Sequence, residues 1–248
     1  MDALSQSFEE RLQEIEAYLD FLQAVEHQVQ RGLPRIGDVS TLITAQQQKI
    51  LYSGVFLQLY NLVEATVTRC VDAVSDAVAE DGRWRPGDLS AQLRREWVRF
   101  TARTHVDLSY DNRLESALAL CDRLINVVPL SPFTIQKGGG GNWDENRIED
   151  MSNRLGLRLR ISHDAYSAVK RHFRNDRGAL ASIKNYRNGL AHGSLSFTEC
   201  GEGITVRELS ELKDVTARYL REVVISFQIA IEAYEFLDPR SRPIEAAS

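Results

Sequence analysis

Apolar residues recur at three- and four-residue steps along most of the chain. The clearest run occupies the first thirty residues, at Phe8, Leu12, Ile15, Leu19, Leu22 and Val29. This spacing places the apolar side chains on one face of an α-helix. Ser5 is the predicted N-cap of this helix, and Gly32 followed by Pro34 predicts its end.

The next apolar stretch predicts a second, longer helix. It begins after Ser40 or Thr41 and runs towards Asp81-Gly82. Residues 50–78 are apolar on more than one face of that helix, which is typical of a helix that lies between others. We therefore expect the second helix to be central in the fold.

Residues 83–140 are less regular, and we interpret them as an insertion. Two shorter helices are predicted within it, over 89–106 and 115–128, separated by the turn-like residues 109–112. Four glycines at 138–141 follow. Next to Lys137 they suit a flexible hinge better than a phosphate-binding loop, because no strand precedes them.

The pattern after the glycines predicts three further helices. Asn142 and Glu145 have the spacing of a capping box, which opens a helix that ends near Leu155-Gly156. Ser162 caps the next helix, which contains residues 165–173. A short helix then runs from about Arg177 to His192.

The last segment predicts a small β-hairpin and a long helix. Gly193 ends the short helix as its C-terminal cap. Two short β-prone runs flank Gly201-Glu202-Gly203, which predicts the hairpin. Thr205 and Glu208 form a second capping box before an amphipathic helix that extends to Leu237. We expect one all-α domain over 1–248, with residues 239–248 as a disordered tail.

Location is indicated by features that the sequence lacks. The first twenty residues contain acids and have no apolar core of a leader peptide. We find no uninterrupted apolar run of about 18 residues, so no membrane association is predicted. Cys70, Cys121 and Cys200 are far apart and odd in number, which favours buried thiols in the cytoplasm over a disulfide or zinc framework.

Charge is distributed unevenly along the chain. The formal net charge of −5 argues against a protein that coats nucleic acid. However, residues 154–192 contain nine Lys or Arg and two acids, a charge of +7, which leaves −12 on the remainder. Such a strip suits phosphate binding. The alternative is a solvated basic helix face.

This basic strip ends in the segment Arg187-Asn188-Gly189-Leu190-Ala191-His192-Gly193. Five residues turn a helix by about 140°, so the Arg187 and His192 side chains do not stack. A long arginine can still reach the rim on which a histidine in the last turn lies. The alternative is a surface arginine with a histidine that satisfies carbonyls at the helix end.

This segment resembles the Arg-Asn-x-x-x-His block of HEPN domain proteins, in particular the large HEPN-like nucleases of bacterial defence and toxin loci. The resemblance extends to Gly141–Asp144, to Leu155–Leu157, to Phe197–Gly201 and to Tyr60–Glu64 on the second helix. It covers residues 141–237 and 42–79, and is poorest over 83–140. It implies a HEPN-like bundle of long antiparallel helices.

The resemblance also implies a metal-independent endoribonuclease without a cofactor, in which two copies of the motif form one cleft in a homodimer. Arg187 would bind the scissile phosphate, His192 would transfer protons and Asn188 would orient one of them. Glu64 and Asn61 would support the site. The basic residues that we expect to bind RNA are Lys184, Arg177, Arg174, Lys170 and Arg171.

General chemistry is consistent with this reading. RNA carries its own nucleophile, the 2′-OH, so its cleavage needs proton transfer and charge stabilisation. Imidazole and guanidinium groups supply these two functions. A single His192 is poorly suited to act as base and acid in one step, which favours a homodimer.

Other functions remain open at this point. Some HEPN proteins bind nucleotides or act as accessory modules, so a non-catalytic RNA- or protein-binding module is the alternative, as is an antitoxin or immunity partner. Some toxin members carry a tyrosine two residues after the histidine that a partner enzyme modifies. Ser194 occupies that position here, so control by that route is not expected.

Overall fold

The computed structural model describes residues 3–29, 42–138, 142–174 and 176–243. In these ranges the chain forms nine α-helices and no β-strand, which confirms the all-α prediction. The helices are α1 (Ala3–Val29), α2 (Ala45–Ala79), α3 (Ala91–Thr101), α4 (Tyr110–Ile125), α5 (Glu145–Leu155), α6 (His163–Lys170), α7 (Ala179–Ala191), α8 (Phe197–Cys200) and α9 (Val206–Glu232).

The predicted β-hairpin is wrong. The run after Gly193 forms the short helix α8, because Ser196 and Glu199 make a capping box that the sequence reading missed. The Glu199 amide donates to the Ser196 hydroxyl at 3.2 Å, and the Ser196 amide donates to the Glu199 carboxylate at 2.9 Å. Two satisfied donors at a helix start outweigh the weak β-preference of a short run.

Other helix ends test the remaining predictions. Ser162 accepts the Ala165 amide at 3.2 Å and caps α6, and Thr205 accepts the Glu208 amide at 3.2 Å before α9, so both caps are confirmed. By contrast, α5 begins at Glu145 itself, so Asn142 is not its cap. Helix α6 ends at Lys170, three residues before the predicted end. Residue 109, predicted to lie in a turn, is the N-cap of α4.

Some sequence predictions lie outside the described residues. These are the end of the first helix at Gly32 and Pro34, the start of the second at Ser40 or Thr41, most of the four-glycine tract and the last five residues of the predicted tail. In the described part of that tail, the Ser241 hydroxyl donates to the Asp88 carboxylate at 3.1 Å.

Contacts within the chain divide it into two compact units. The first comprises residues 1–66, 142–145 and 161–222. Helix α1 packs its predicted apolar face inward, although Val29 is exposed. Tyr18 on α1 donates a hydrogen bond to the Leu51 carbonyl on α2 at 2.9 Å. Two ion pairs join α1 to α9, Glu9 with Arg221 and Glu16 with Lys213.

The second unit comprises residues 67–141, 146–160 and 223–248. Its core includes Leu89, Leu93 and Trp97 from the α3 region. Glu96 on α3 is also buried, and its carboxylate accepts two hydrogen bonds of 2.9 Å from Arg154 on α5. A buried carboxylate is stable only when it is paired in this way.

Helix α4 presents an unusual surface within the second unit. Of its sixteen residues only Ser116 is buried. Large apolar side chains are exposed along it, including Leu114, Leu118 and Ile125. Cys121 on the same helix is exposed as well, which corrects the expectation that all three cysteines are buried.

Helix α2 is the longest of the described helices and contributes to both units. By length and composition it could cross a membrane, but 56% of its most apolar 18-residue window is buried within the protein. Val55, Phe56, Leu59 and Val67 are fully buried. These properties are those of a core helix, which agrees with the prediction of a central position.

Candidate functional site

The site is built around Arg187, which lies on α7 in the first unit. Its guanidinium carbon is 4.5 Å from the centroid of the Tyr60 ring on α2. Tyr60 is only 2% exposed, so this ring is a fixed surface. A cation over an aromatic face is attracted by the ring quadrupole, which holds the guanidinium against α2.

Asn188 adds a second constraint on the arginine. Its side-chain carbonyl accepts a hydrogen bond from Arg187 Nη1 at 2.9 Å. Its side-chain NH₂ donates to Asn142 Oδ1 at 2.8 Å. Asn188 therefore connects the arginine to the segment that precedes α5, and both ends of its amide are used.

His192 lies where α7 ends. It is the C-cap residue, and its backbone amide donates to the Asn188 carbonyl at 3.0 Å. Gly193 follows with a φ of 71°, a left-handed conformation that glycine adopts readily, which confirms its predicted capping role. The His192 side chain is exposed to solvent. Within the described residues, no hydrogen bond joins it to Arg187.

Several neighbouring groups act on the pKa of the Tyr60 hydroxyl. Burial raises the pKa of Tyr60 above its ordinary value, and the carboxylates of Glu64 and Asp144 add to the rise, while the Trp143 backbone and the Arg187 guanidinium oppose it. Glu64, one of the two residues expected to support the site, is thus close enough to affect this tyrosine. Two carboxylates and the Arg187 guanidinium therefore act on the same buried hydroxyl.

Asn61, the other expected supporting residue, contacts a different neighbour. It is exposed, and its carbonyl accepts a hydrogen bond from Arg11 on α1 at 3.3 Å. Both residues line a cavity of about 300 Å³ between α1 and α2. In the described part of the chain, no hydrogen bond joins Asn61 to Arg187.

The basic residues expected to bind RNA fall into two groups. Three of them form ion pairs: Lys184 with Asp144, Lys170 with Glu145 and Arg174 with Glu208. Arg171 and Arg177 are exposed, and no ion pair involves them among the described residues. Much of the positive charge in the 154–192 strip is therefore balanced by acids from other segments.

The residues of the strip are also divided between the two units. Six of its nine basic residues lie in the first unit and three, at positions 154, 158 and 160, lie in the second. Arg160 pairs with Glu235, in the same way that Arg154 pairs with Glu96. The alternative interpretation was a solvated basic helix face. It does not describe most of these residues, because they are paired with acids of other segments.

Sequence reasoning missed three residues of this site. Tyr60 supports the Arg187 guanidinium, and Asn142 accepts a hydrogen bond from Asn188. Asp144 pairs with Lys184, which lies about one turn before Arg187 on α7. The two segments that hold these residues, around Tyr60 and around Asn142, were singled out by the family resemblance. That resemblance was the one available signal, because spacing along a helix does not report contacts between distant segments.

Comparison with known proteins decides the family. The model of the HEPN_MAE_28990-like HEPN family matches residues 1–236. The chain belongs to this HEPN family. The match includes both the Arg187–His192 segment and residues 83–140. Searches of curated proteins and of solved structures found no match.

HEPN membership gives the site a chemical context. HEPN domains are often ribonucleases. The all-α architecture observed here is consistent with that family. Among the described residues of this HEPN protein, no group of three or more His, Cys, Asp or Glu side chains is arranged to hold a metal ion.

Proposed function

We propose that this HEPN protein is a metal-independent endoribonuclease that acts as a homodimer. The observation that carries the proposal is the fixed position of Arg187, held by the Tyr60 ring and by Asn188, on the same helix that presents an exposed His192 at its end. A pre-positioned cation on the helix that ends in an exposed imidazole suits phosphoryl transfer, because the cation needs no reorganisation during the reaction.

The proposed reaction uses the nucleophile of RNA itself. The 2′-oxygen forms a bond to phosphorus while the bond from phosphorus to the 5′-oxygen breaks. The products are a 2′,3′-cyclic phosphate and a free 5′-hydroxyl, and no water is consumed. Arg187 binds the non-bridging oxygens and stabilises the charge that develops on them.

Two protons move in this reaction, in opposite directions. One leaves the 2′-hydroxyl and one reaches the departing 5′-oxygen. A single imidazole cannot accept and donate in the same step, so two His192 side chains, one from each protomer, would share the roles of base and acid. The symmetry of a two-fold dimer would bring two copies of the motif to one cleft.

The biological setting that we propose is a bacterial defence or toxin–antitoxin system in the cytoplasm, with an antitoxin or another defence protein as partner. This setting is supported by the motif and the family, since it is among the large HEPN-like nucleases of such loci that the resemblance is found. It predicts that expression of the protein stops growth and that His192→Ala relieves the arrest.

Cleavage of RNA in EDTA tests the proposal directly. Purified protein is incubated with total RNA and with a short unstructured oligoribonucleotide, beside the variants Arg187→Ala and His192→Ala. We expect wild-type protein to release cyclic phosphate ends and both variants to lose at least about a hundredfold in rate. A substrate with 2′-deoxyribose at the cleaved position should resist.

Two matched variants control for general effects of the substitutions. His163→Ala removes an exposed histidine at the start of α6, and Arg218→Ala removes an exposed arginine on α9. Both should cleave like the wild type. Equal rates for all five proteins, or cleavage only with added divalent metal, would overturn the mechanism. If His192→Ala weakens association of protomers and no protein cleaves RNA, the motif is a dimer contact of a binding module.

A further inference from the structure

A second arginine-rich stretch lies outside the site described above. Residues 83–105 contain six arginines and two acids, a formal charge of +4. This stretch belongs to the second unit and includes all of α3. It lies in the region that the sequence identified only as an insertion.

Three of these arginines line a cavity on α3. The cavity has a volume of about 380 Å³ and is lined by Ala91, Arg94, Arg95, Val98, Arg99 and Thr104. No acidic residue is among these six. Pockets of this size accept small ligands, and a wall of guanidinium groups beside a hydroxyl selects an anion.

Both acids of the stretch have partners other than Arg95. The buried carboxylate of Glu96 is shared by Arg154 and Arg99, so one carboxylate serves two cations. Asp88 accepts the Arg85 amide at 2.8 Å and the Ser241 hydroxyl at 3.1 Å. Neither acid cancels the charge of Arg95.

The arginines differ in how firmly they are held. Arg94 donates to the carbonyls of Pro86, Gly87 and Leu89 at 2.7–3.0 Å, and its Nη1 has no partner among the described residues. Arg95 is exposed and makes no ion pair or hydrogen bond in the described part of the chain. A rigid cation beside a free one is suited to capture a phosphate group, because only one side chain is ordered on binding.

One further arginine lies next to the cavity-lining residues in the chain. Arg103 follows the end of α3 with a φ of 52°, at a position where helices usually place glycine. The next residue, Thr104, lines the cavity and donates its amide to the Arg99 carbonyl at 3.2 Å. His105 Nδ1 lies 3.3 Å from the same carbonyl. A further arginine is therefore adjacent in the chain to the cavity-lining Thr104.

We propose that this cavity, lined by Arg94, Arg95 and Arg99, binds phosphate groups of a single-stranded RNA backbone, as a second contact outside the Arg187–His192 site. The phosphate of a free nucleotide offers the same chemistry, but the additional arginine at position 103, directly before the cavity-lining Thr104, favours a chain of phosphates over one. The choice of RNA rests on the proposed ribonuclease function, whereas the binding of phosphate does not.

Binding, measured without cleavage, tests the cavity. Full-length protein with His192→Ala is titrated against a fluorescently labelled oligouridine and, separately, against ATP, over a range of salt concentrations. In that background Arg95→Gln removes the free cation, Arg95→Lys keeps the charge without the planar fork, and Arg69→Gln removes an exposed arginine of α2 in the same unit as the control.

We expect Arg95→Gln to weaken oligouridine binding roughly 3- to 10-fold at low salt. It should also lower the slope of log affinity against log salt by about 0.7, the value for one phosphate on a single strand. Arg95→Lys should fall between Arg95→Gln and the parent, and Arg69→Gln should match the parent. Equal affinity and slope for Arg95→Gln and Arg69→Gln with both probes would overturn the proposal.

Other outcomes separate the two sources of phosphate and the two proposals. Loss of ATP binding in Arg95→Gln with unchanged oligouridine binding would overturn RNA as the ligand. The titration measures binding and not cleavage, so it tests the cavity even if the protein has no nuclease activity. If the protein with His192 intact cleaves RNA, but Arg95→Gln does not change RNA binding, the proposed function stands and the proposed second site is wrong.

Discussion

The guanidinium of Arg187 lies over the ring of Tyr60, 4.5 Å from its centroid, and so the one arginine of the HEPN motif is fixed by a buried residue of α2. The hydrogen bond to Asn188 fixes the same group from the side. An arginine side chain loses conformational entropy when it binds a phosphate, because rotation about several of its bonds becomes restricted. Here that loss has already occurred on folding, which makes Tyr60 a positioning residue for the proposed chemistry.

Replacement of Tyr60 tests this role. Tyr60→Leu removes the aromatic face and should lower kcat about tenfold with a smaller change in KM, since a cation–π contact contributes about 0.5–2 kcal/mol. Tyr60→Phe keeps the face and should restore most of the rate. The measurement is the rate of oligoribonucleotide cleavage by each purified variant.

A second tyrosine of α2 provides the control for this substitution. Tyr52 is also buried, and its hydroxyl pKa is raised by burial and by Glu26. Among the described residues, the ring that lies under Arg187 is that of Tyr60 and not that of Tyr52. Tyr52→Leu should reduce stability about as much as Tyr60→Leu and leave kcat of the folded protein unchanged. If the two leucine variants lose the same activity, the effect is one of stability and not of arginine position.

The parts of the fold that sequence predicted well are those set by neighbouring residues. Thr205 and Glu208, three apart, cap α9 as predicted, and Gly193 takes the left-handed conformation at the end of α7. In each case the hydrogen bond or the backbone angle depends on residues within one helical turn. The spacing of residues in the sequence is therefore enough to predict these helix ends.

The parts that sequence missed depend on distant segments. Nothing near Arg187 in the chain indicates that its partner is Tyr60, or that Lys184 pairs with Asp144. The error at α8 has a related origin, since the Gly201 that seemed to centre a hairpin is there because the chain passes close to α2. Side-chain patterns report the face of an element, but they do not report which element covers it.

That close approach gives a stability prediction. A Cβ at Gly201 would overlap the backbone carbonyl of Lys49, and a backbone atom cannot move aside as the end of a flexible side chain can. Gly201→Ala should therefore destabilise the protein by about 2–3 kcal/mol. Gly87→Ala, where nothing lies within 4 Å, is the control and should change stability little. Urea unfolding followed by circular dichroism measures both, and equal midpoints would contradict the predicted overlap.

The cap of α9 predicts a dependence of stability on pH. Partial burial acts to raise the pKa of Glu208, but hydrogen bonds from Thr205 and Arg174 outweigh it, and the net pKa lies below the ordinary value. The ionised form is thus favoured in the folded state. Its contribution to stability is present above the ordinary carboxyl pKa and is lost as pH falls through the lower, folded value.

Glu208→Gln isolates this contribution, because glutamine keeps the acceptor of the capping box and removes the charge. The variant should be less stable than the wild type near pH 7, and the difference should shrink as pH falls below about 4. Glu232→Gln, an exposed carboxylate at the other end of α9, is the control and should cost little at either pH. A difference for Glu208→Gln that stays constant between pH 7 and pH 3 would show that charge is not its cause.

The left-handed residue after α3 links stability to the proposed second phosphate contact. Arg103 has a φ of 52°, which costs a side-chain-bearing residue about 1 kcal/mol relative to glycine. A fold optimised for stability alone would place glycine there. We therefore predict that Arg103→Gly raises the thermal midpoint by roughly 2–4 °C and at the same time weakens oligouridine binding in the His192→Ala background.

Two further substitutions at this position separate backbone strain from charge. Arg103→Lys retains both the strain and the charge, so it should match the parent in melting temperature and in salt slope. Asparagine tolerates the left-handed conformation and lacks the charge. Arg103→Asn should therefore bind oligouridine as weakly as Arg103→Gly and show part of its rise in thermal midpoint. A rise in stability without loss of RNA affinity in the glycine variant would confine phosphate binding to Arg94, Arg95 and Arg99. If Arg103→Gly and Arg103→Asn lose RNA affinity and Arg103→Lys keeps it, the phosphate contact extends to Arg103, because lysine retains the positive charge that glycine and asparagine lack.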